Sequence, residues 1–254
     1  MSYETLLYQK TDQIGNITLN RPRSNNSINE RLAEEMFDLC SEIQRDSNVR
    51  VVTITGAGTT FCMGTEWDGQ VSVEIASSKQ WSVATTVAKL DLPVIAAING
   101  DAIGQGLELA LACDIRIASN TACFGFPHII SGLIPWDGGT QRLPRLVGRA
   151  KAMEMILTGE SISAEEAFRV GLVTKIVGLG ELSKAVAEMA QGVASRAPTA
   201  IKYAKEAVNK GLDITLEQGL RLEADLYFLL HTTKDRTEGI RAFHEKRRPK
   251  FKGK

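Results

Sequence analysis

The sequence lacks an excess of charge of either sign: 30 lysines and arginines stand against 30 aspartates and glutamates. No global field therefore draws nucleic acid to it, and nucleic-acid binding is not expected, although charge can still be segregated locally. It also lacks closely spaced cysteines. Cys40, Cys62, Cys113 and Cys123 lie far apart, without the paired spacing of a zinc site or redox motif, which predicts reduced thiols, no structural metal and a cytoplasmic setting. No apolar run approaches the roughly 20 residues needed to cross a bilayer, and the N-terminus carries no apolar signal segment. Membrane insertion is thereby excluded, whereas association with a membrane surface is not. Internal repeats and low-complexity stretches are likewise missing.

What is present describes a well-cored domain: 254 residues, 43% hydrophobic and 24% charged, enough chain for one main domain. Short β-branched runs alternate with longer helical patterns, the signature of an α/β layer structure. Strands are predicted over Ile14–Leu19, Val51–Thr55, Val94–Ile98, Ile115–Ala118 and Ala122–Phe124. Helical spacing marks Asn29–Ser47 and Ser78–Lys89, and Ser163 followed by Glu166 reads as a capping box. From about Glu181 the pattern is almost entirely helical, with Leu182–Arg196, Thr199–Lys210, Leu216–His231 and Thr237–Lys246, followed by a basic ending. Helices gathered at one end pack as an appendage or form a subunit contact. The division expected is a core over residues 1–195 and a helical region over 196–254.

The segment from Asn99 to Gly148 carries the chemistry. Gly104-Gln105-Gly106-Leu107-Glu108 is a glycine turn entering a helix, and free N–H groups at a helix start hold an anion or a polarised carbonyl oxygen. The plainer reading is a tight strand-to-helix connection whose Glu108 favours the positive end of the helix dipole. A second glycine loop, Gly56 to Thr65, follows the strand Val51–Thr55, where ligand-binding loops sit in α/β folds. Two such loops supply one N–H each. Further along come His128 and Asp137, a titratable pair suited to proton exchange on a bound carbonyl compound.

The motifs Asn20-Arg21-Pro22, Phe61-Cys62-Met63-Gly64, Ala96-Ala97-Ile98-Asn99-Gly100, Gly106-Leu107-Glu108-Leu109-Ala110, Cys113-Asp114, Gly138-Gly139-Thr140-Gln141-Arg142-Leu143, Gly171-Leu172-Val173 and Glu245-Lys246-Arg247 occur in this order. On these motifs the chain resembles the crotonase superfamily, or enoyl-CoA hydratase/isomerase family, over essentially its whole length. The resemblance implies a spiral of ββα units with a C-terminal helical region that builds trimers, often paired into hexamers. It also implies an acyl-CoA thioester as substrate, its carbonyl held by the backbone N–H groups of Thr65 and Gln105. Coenzyme A is then part of the substrate, and no separate cofactor is expected.

Hydratases of the family use two glutamates. Glu108 matches the first, but His128 stands where the second is expected, Trp136-Asp137 replace the usual small residues after Ile134-Pro135, and Gln105 replaces the usual middle glycine. With Glu108 activating water, the carbon-bound proton falls to Asp137 or to His128, unless the two form a structural pair; Asp137 alternatively caps the next helix, and His128 is alternatively a buried hydrogen-bonded imidazole. The resemblance sets Trp67 and Trp136 in loops that line the acyl pocket. Aromatic walls suit a flat or cyclic acyl group, for instance cyclohexa-1,5-diene-1-carboxyl-CoA, an intermediate of anaerobic aromatic degradation, although packing explains a tryptophan equally well. The resemblance also carries nucleotide contacts over to Tyr227 and Lys246. The leading expectation is a lyase adding or removing water at an unsaturated acyl-CoA. A double-bond isomerase, a C–C bond hydrolase and a non-catalytic CoA-binding subunit are the alternatives.

Overall fold

The computed structural model describes residues 3–66 and 81–254. Its main sheet has six strands in the order β1-β2-β3-β4-β6-β9: β1 Leu6–Thr11, β2 Ile14–Leu19, β3 Val51–Gly56, β4 Val94–Ile98, β6 Ile115–Ser119 and β9 Lys175–Val177. Only β1 runs antiparallel to its neighbour; β2, β3, β4, β6 and β9 pair in parallel. Strands of a parallel sheet are covered on both faces and read as near-continuous apolar runs, and β3 and β4 do so. Alternation then sorts their side chains between two cores. Val52, Ile54, Val94, Ala96 and Ile98 meet Leu32, Met36, Leu39 and Ile43 of α1 (Glu30–Arg45). Val51, Ile95, Ala97 and Ile117 meet Leu182, Ala185, Val186 and Ala190 of α6 (Leu179–Ala194).

Between these elements lie α2 (Val83–Ala88), α3 (Gln105–Ala112), α4 (Gly139–Thr158, broken at Gly148) and α5 (Ala164–Arg169). A small second sheet joins β5 (Ala102–Ile103), β7 (Cys123–Gly125) and β8 (Ile162–Ser163). Residues 196–254 carry α7 (Pro198–Gly211), α8 (Leu216–Leu230) and α9 (Lys234–His244). These three helices bury few side chains and expose Val208, Leu212, Leu216, Leu220, Phe228 and Phe243. Among the described residues, no helix is long and apolar enough to cross a membrane. The four cysteines are free thiols, three of them buried.

Several expectations shift. The polar edge strand β1 buries only Leu6 and so leaves no alternating signal. The helix expected over Ser78–Lys89 is Val83–Ala88, residues 78–80 lying outside the described residues. The last helix starts at Lys234 rather than Thr237, because the Thr233 side chain caps it. At Ser163 only half of the capping box forms: its side chain accepts from the Glu166 N–H, while the Glu166 carboxylate pairs with Lys151 and Arg169. The complete box is at Thr215 and Gln218, opening α8.

Candidate active site

Strand β4 leads through Asn99 and Gly100 into β5 and then α3, while β3 leads into the loop from Gly56 to Glu66. Two buried asparagines fix that loop. The Asn26 amide donates to the carbonyls of Ala57 and Thr60 at 2.9 and 2.7 Å, and the Asn99 amide donates to Gly58 O at 2.9 Å while its oxygen accepts from the Gly56 N–H at 3.1 Å. The Asn26 role was not legible beforehand, since one asparagine in a polar turn carries no distinguishing spacing. The Cys62 N–H donates to Asp101 O and the Ile103 N–H to Cys62 O, both at 3.0 Å, docking loop and strand together. The approach is so close that a Cβ on Gly106 would lie 2.1 Å from Cys62 O. At Gly104 the backbone turns with φ 57° and ψ −128°, a conformation for glycine alone.

This turn leaves Gln105 N–H at the start of α3, close to Thr65. Among the described residues, neither the Thr65 nor the Gln105 N–H meets a protein acceptor. Their side chains touch, with Thr65 Oγ1 donating to Gln105 Oε1 at 2.9 Å.

Every residue of α3 is buried, Glu108 included. A helix apolar all round belongs in a core, so the carboxyl at its first turn is removed from water. Glu108 Oε1 accepts the N–H groups of Asp137 and Gly139 at 2.8 and 2.7 Å, whereas the buried Oε2 has no partner among the described residues. Burial pushes the Glu108 carboxyl up to about 7, the Gly139 hydrogen bond opposing this and the nearby Asp137 charge adding to it. A carboxyl in this range gives and takes a proton near neutrality.

Asp137 is just as deep but differently solvated. Its Oδ2 accepts from Ala84 N–H at 2.7 Å and Gln105 Nε2 at 3.2 Å; its Oδ1 accepts from Thr85 N–H at 3.0 Å and Thr85 Oγ1 at 2.7 Å. The carboxylate therefore sits on the N-terminus of α2, a strong cap. The expectation that it caps the next helix is corrected: α4 starts at Gly139, with Gly138 at its N-cap and no side-chain cap. The chain direction of the loop explains this, because Arg142 donates to Asp137 O at 2.7 Å and the loop's own N–H groups are spent on Glu108.

His128 follows Pro127 in a short 3-10 turn, Pro127–Ser131. Its imidazole packs on Gly104, where a Cβ would lie 3.5 Å from its Cε1, and near the Phe126 ring at 5.9 Å between centroids. Among the described residues His128 Nδ1 is buried without a partner, and burial lowers its pKa and so favours the neutral ring. Trp136 is half-buried beside Asp137; Trp67 lies outside the described residues. Tyr227 is exposed on α8 with its ring against His231, and Lys246 follows α9 in a left-handed conformation of φ 53°. The fold thus brings Thr65, Gln105, Glu108, Asp137 and His128 around the start of α3, while Tyr227 and Lys246 stand on the C-terminal helical region. A groove of about 930 Å³ between α4 and α7 is lined by Leu111, Gly138, Arg142, Leu146, Lys205 and Val208; none of those five cluster residues lines it, but Arg142 links it to Asp137.

Residues 9–254 match the model of the enoyl-CoA hydratase/isomerase family. The chain belongs to this family of enzymes, within the crotonase superfamily. It is 37% identical to a short-chain-enoyl-CoA hydratase of Clostridium acetobutylicum, covering 98% of this chain and 97% of that one. To a crotonyl-CoA hydratase of Syntrophomonas wolfei it is 36% identical, over 99% of both chains. The crystal structure of an enoyl-CoA hydratase from Bacillus anthracis superposes with a TM-score of 0.96 at 41% identity, covering 99% of this chain and all of that one. The crotonase-type spiral expected from the motifs is therefore the fold.

Proposed function

We propose that this enoyl-CoA hydratase/isomerase family member is an acyl-CoA hydratase, a lyase that adds water to, or removes it from, an unsaturated thioester. The observation that carries the reading is the Glu108 carboxyl: buried, half-solvated by two N–H groups, one oxygen bare, its pKa raised to about 7. The free N–H groups of Thr65 and Gln105 support a hole for the thioester oxygen, one such donor being worth about 3 to 4 kcal/mol of transition-state stabilisation. Ionised Glu108 takes a proton from water as the water oxygen bonds to the β-carbon. The π electrons run to the thioester oxygen, and the enolate collapses by taking a proton at the α-carbon. Neutral His128 relays that proton, giving its own N–H proton to the α-carbon while its other nitrogen takes the proton from the Glu108 carboxyl, so the pair leaves with as many protons as it entered with.

His128 is favoured over Asp137 for the second role because its Nδ1 has no partner, whereas four donors occupy Asp137. Half-buried Trp136 beside the Glu108 loop supports a flat acyl group, conjugated or cyclic. The names of the relatives, short-chain-enoyl-CoA and crotonyl-CoA hydratases, support a small one. The exposed apolar side chains of α7 to α9 support a homo-trimer or hexamer built through residues 196–254, with Tyr227 and Lys246 meeting the nucleotide. The test is turnover of crotonyl-CoA and cyclohexa-1,5-diene-1-carboxyl-CoA in oxygen-labelled water. Label in a hydroxylated product is expected. A shifted double bond without label would make the enzyme an isomerase, and a labelled, ring-opened product would make it a hydrolase.

A further inference from the structure

The Gln105 side chain is wholly buried and its hydrogen-bonding capacity is nearly spent within the protein. Nε2 donates to Trp81 O at 2.6 Å and to Asp137 Oδ2 at 3.2 Å, and Oε1 accepts from Thr65 Oγ1 at 2.9 Å. Both amide hydrogens are used, so the side chain has none left to offer a ligand. The residues it joins are the important ones. Thr65 and Gln105 are the two whose backbone N–H groups point free, and they are tied to each other side chain to side chain. Asp137, at the other end of the amide, sends its own N–H to Glu108 Oε1 at 2.8 Å. An unbroken chain of hydrogen bonds, Thr65 to Gln105 to Asp137 to Glu108, thus runs from the two N–H donors to the buried carboxyl.

We infer that Gln105 is a positioning residue: its amide sets the spacing of the two N–H donors and registers them against Glu108. The inference rests on the proposed role of those N–H groups as the hole for the thioester oxygen. Its physical basis is that such donors act through placement, so an error of a fraction of an ångström forfeits much of their effect. The glycine usual here in the family has no side chain, so this brace is carried by the residues of this chain. Buried polar groups are held rigidly where they are satisfied, and the three polar hydrogens of the Thr65 hydroxyl and the Gln105 amide all have acceptors.

The test uses shape-preserving variants that keep every backbone N–H: Thr65→Val, Gln105→Met and their combination, with Thr65→Ser as the conservative control. On the wild-type enzyme's best substrate, each single change is expected to lower kcat about 10- to 100-fold with KM changed less than about threefold. The double variant should be no worse than the weaker single variant, because both break one brace, and Thr65→Ser should restore most of the rate. A second readout is the carbonyl stretch of bound, carbon-labelled butyryl-CoA, which does not react. Wild type should lower its frequency, and Thr65→Val should reverse part of that shift. No shift in wild type would sink the oxyanion-hole reading itself. A wild-type shift kept unchanged in Thr65→Val, with rate losses that multiply in the double variant, would overturn the positioning role alone. Should Gln105→Met fail to fold, the Thr65 pair and the carbonyl stretch still decide.

Discussion

The first turn of α3 and the loop from Pro135 to Gly139 each deliver one carboxylate to the same interior, at 0% and 2% exposure. Depth therefore does not separate Glu108 from Asp137; the supply of donors does. Asp137 receives two donors on each oxygen, including two N–H groups from the positive end of α2. Glu108 receives two on one oxygen and none on the other. A carboxylate saturated by fixed donors is locked in place by them and becomes part of the scaffold. One left with a bare oxygen lacks that fixed solvation, and burial raises its pKa. The contrast separates two neighbouring acids: one holds α2 and the loop in place, and the other is free for the proton exchange proposed for it.

The sharpest way to break this division is a pair of neutral isosteres. Glu108→Gln should cost about 10³-fold in kcat, within the range for a positioned acid–base group, and should leave the thermal midpoint unchanged or higher. Asp137→Asn should do the opposite: an amide cannot accept from all four donors, so stability should fall by about 2 to 4 kcal/mol, with kcat per folded molecule within about tenfold of wild type. Measured midpoints and active-site-normalised rates separate the two. A thousandfold rate loss in Asp137→Asn at an unchanged midpoint would make Asp137 the proton-exchanging group and leave His128 structural.

The same contrast is visible without substrate, through pH. The folded Glu108 pKa of about 7 lies above the ordinary 4.5, so between these values the folded protein binds more protons than the unfolded chain. Stability then falls as pH rises through this window. The full loss from this group approaches about 3 kcal/mol above pH 7, by the usual conversion of 1.36 kcal/mol per unit. Chemical denaturation at pH 5 and pH 8 should show wild type losing stability relative to Glu108→Gln by roughly that amount. Parallel behaviour of the two proteins would mean that Glu108 is solvated in a way its bare Oε2 does not suggest.

How much of this was written in the sequence follows from range. The strands Ile14–Leu19 and Val94–Ile98 were legible to the residue, because their apolar runs are local and bounded by turn residues. Gly104 and Glu108 were legible as a glycine turn entering a helix with an acid in its first turn. The destination of the Asp137 carboxylate was not. Its main-chain donors, Ala84 and Thr85, are more than 50 residues away, and donation by a main-chain N–H leaves no mark on side-chain identity. The Gln105 side chain was visible only as a departure from glycine, since its three partners come from three separate segments.

The finest adjustment concerns Arg142, which donates to Asp137 O at 2.7 Å and whose charge holds the Glu108 pKa slightly down. Replacing it by Met removes a positive charge near a buried carboxyl, so the charged form of Glu108 is disfavoured and its pKa rises. Because ionised Glu108 takes the proton from water, the acidic limb of the kcat/KM profile should move to higher pH, by less than about one unit given its place as the weakest of the influences on this group. The plateau rate at high pH should change only a few-fold, and Arg142→Lys should bring the limb back toward its original position. Two distinct actions are thereby separable. Loss of the hydrogen bond alone would lower the plateau without moving the limb, because a displaced loop misplaces Glu108 at every pH. Movement of the limb with an intact plateau would show that the cation acts through its field, tuning the half-solvated acid.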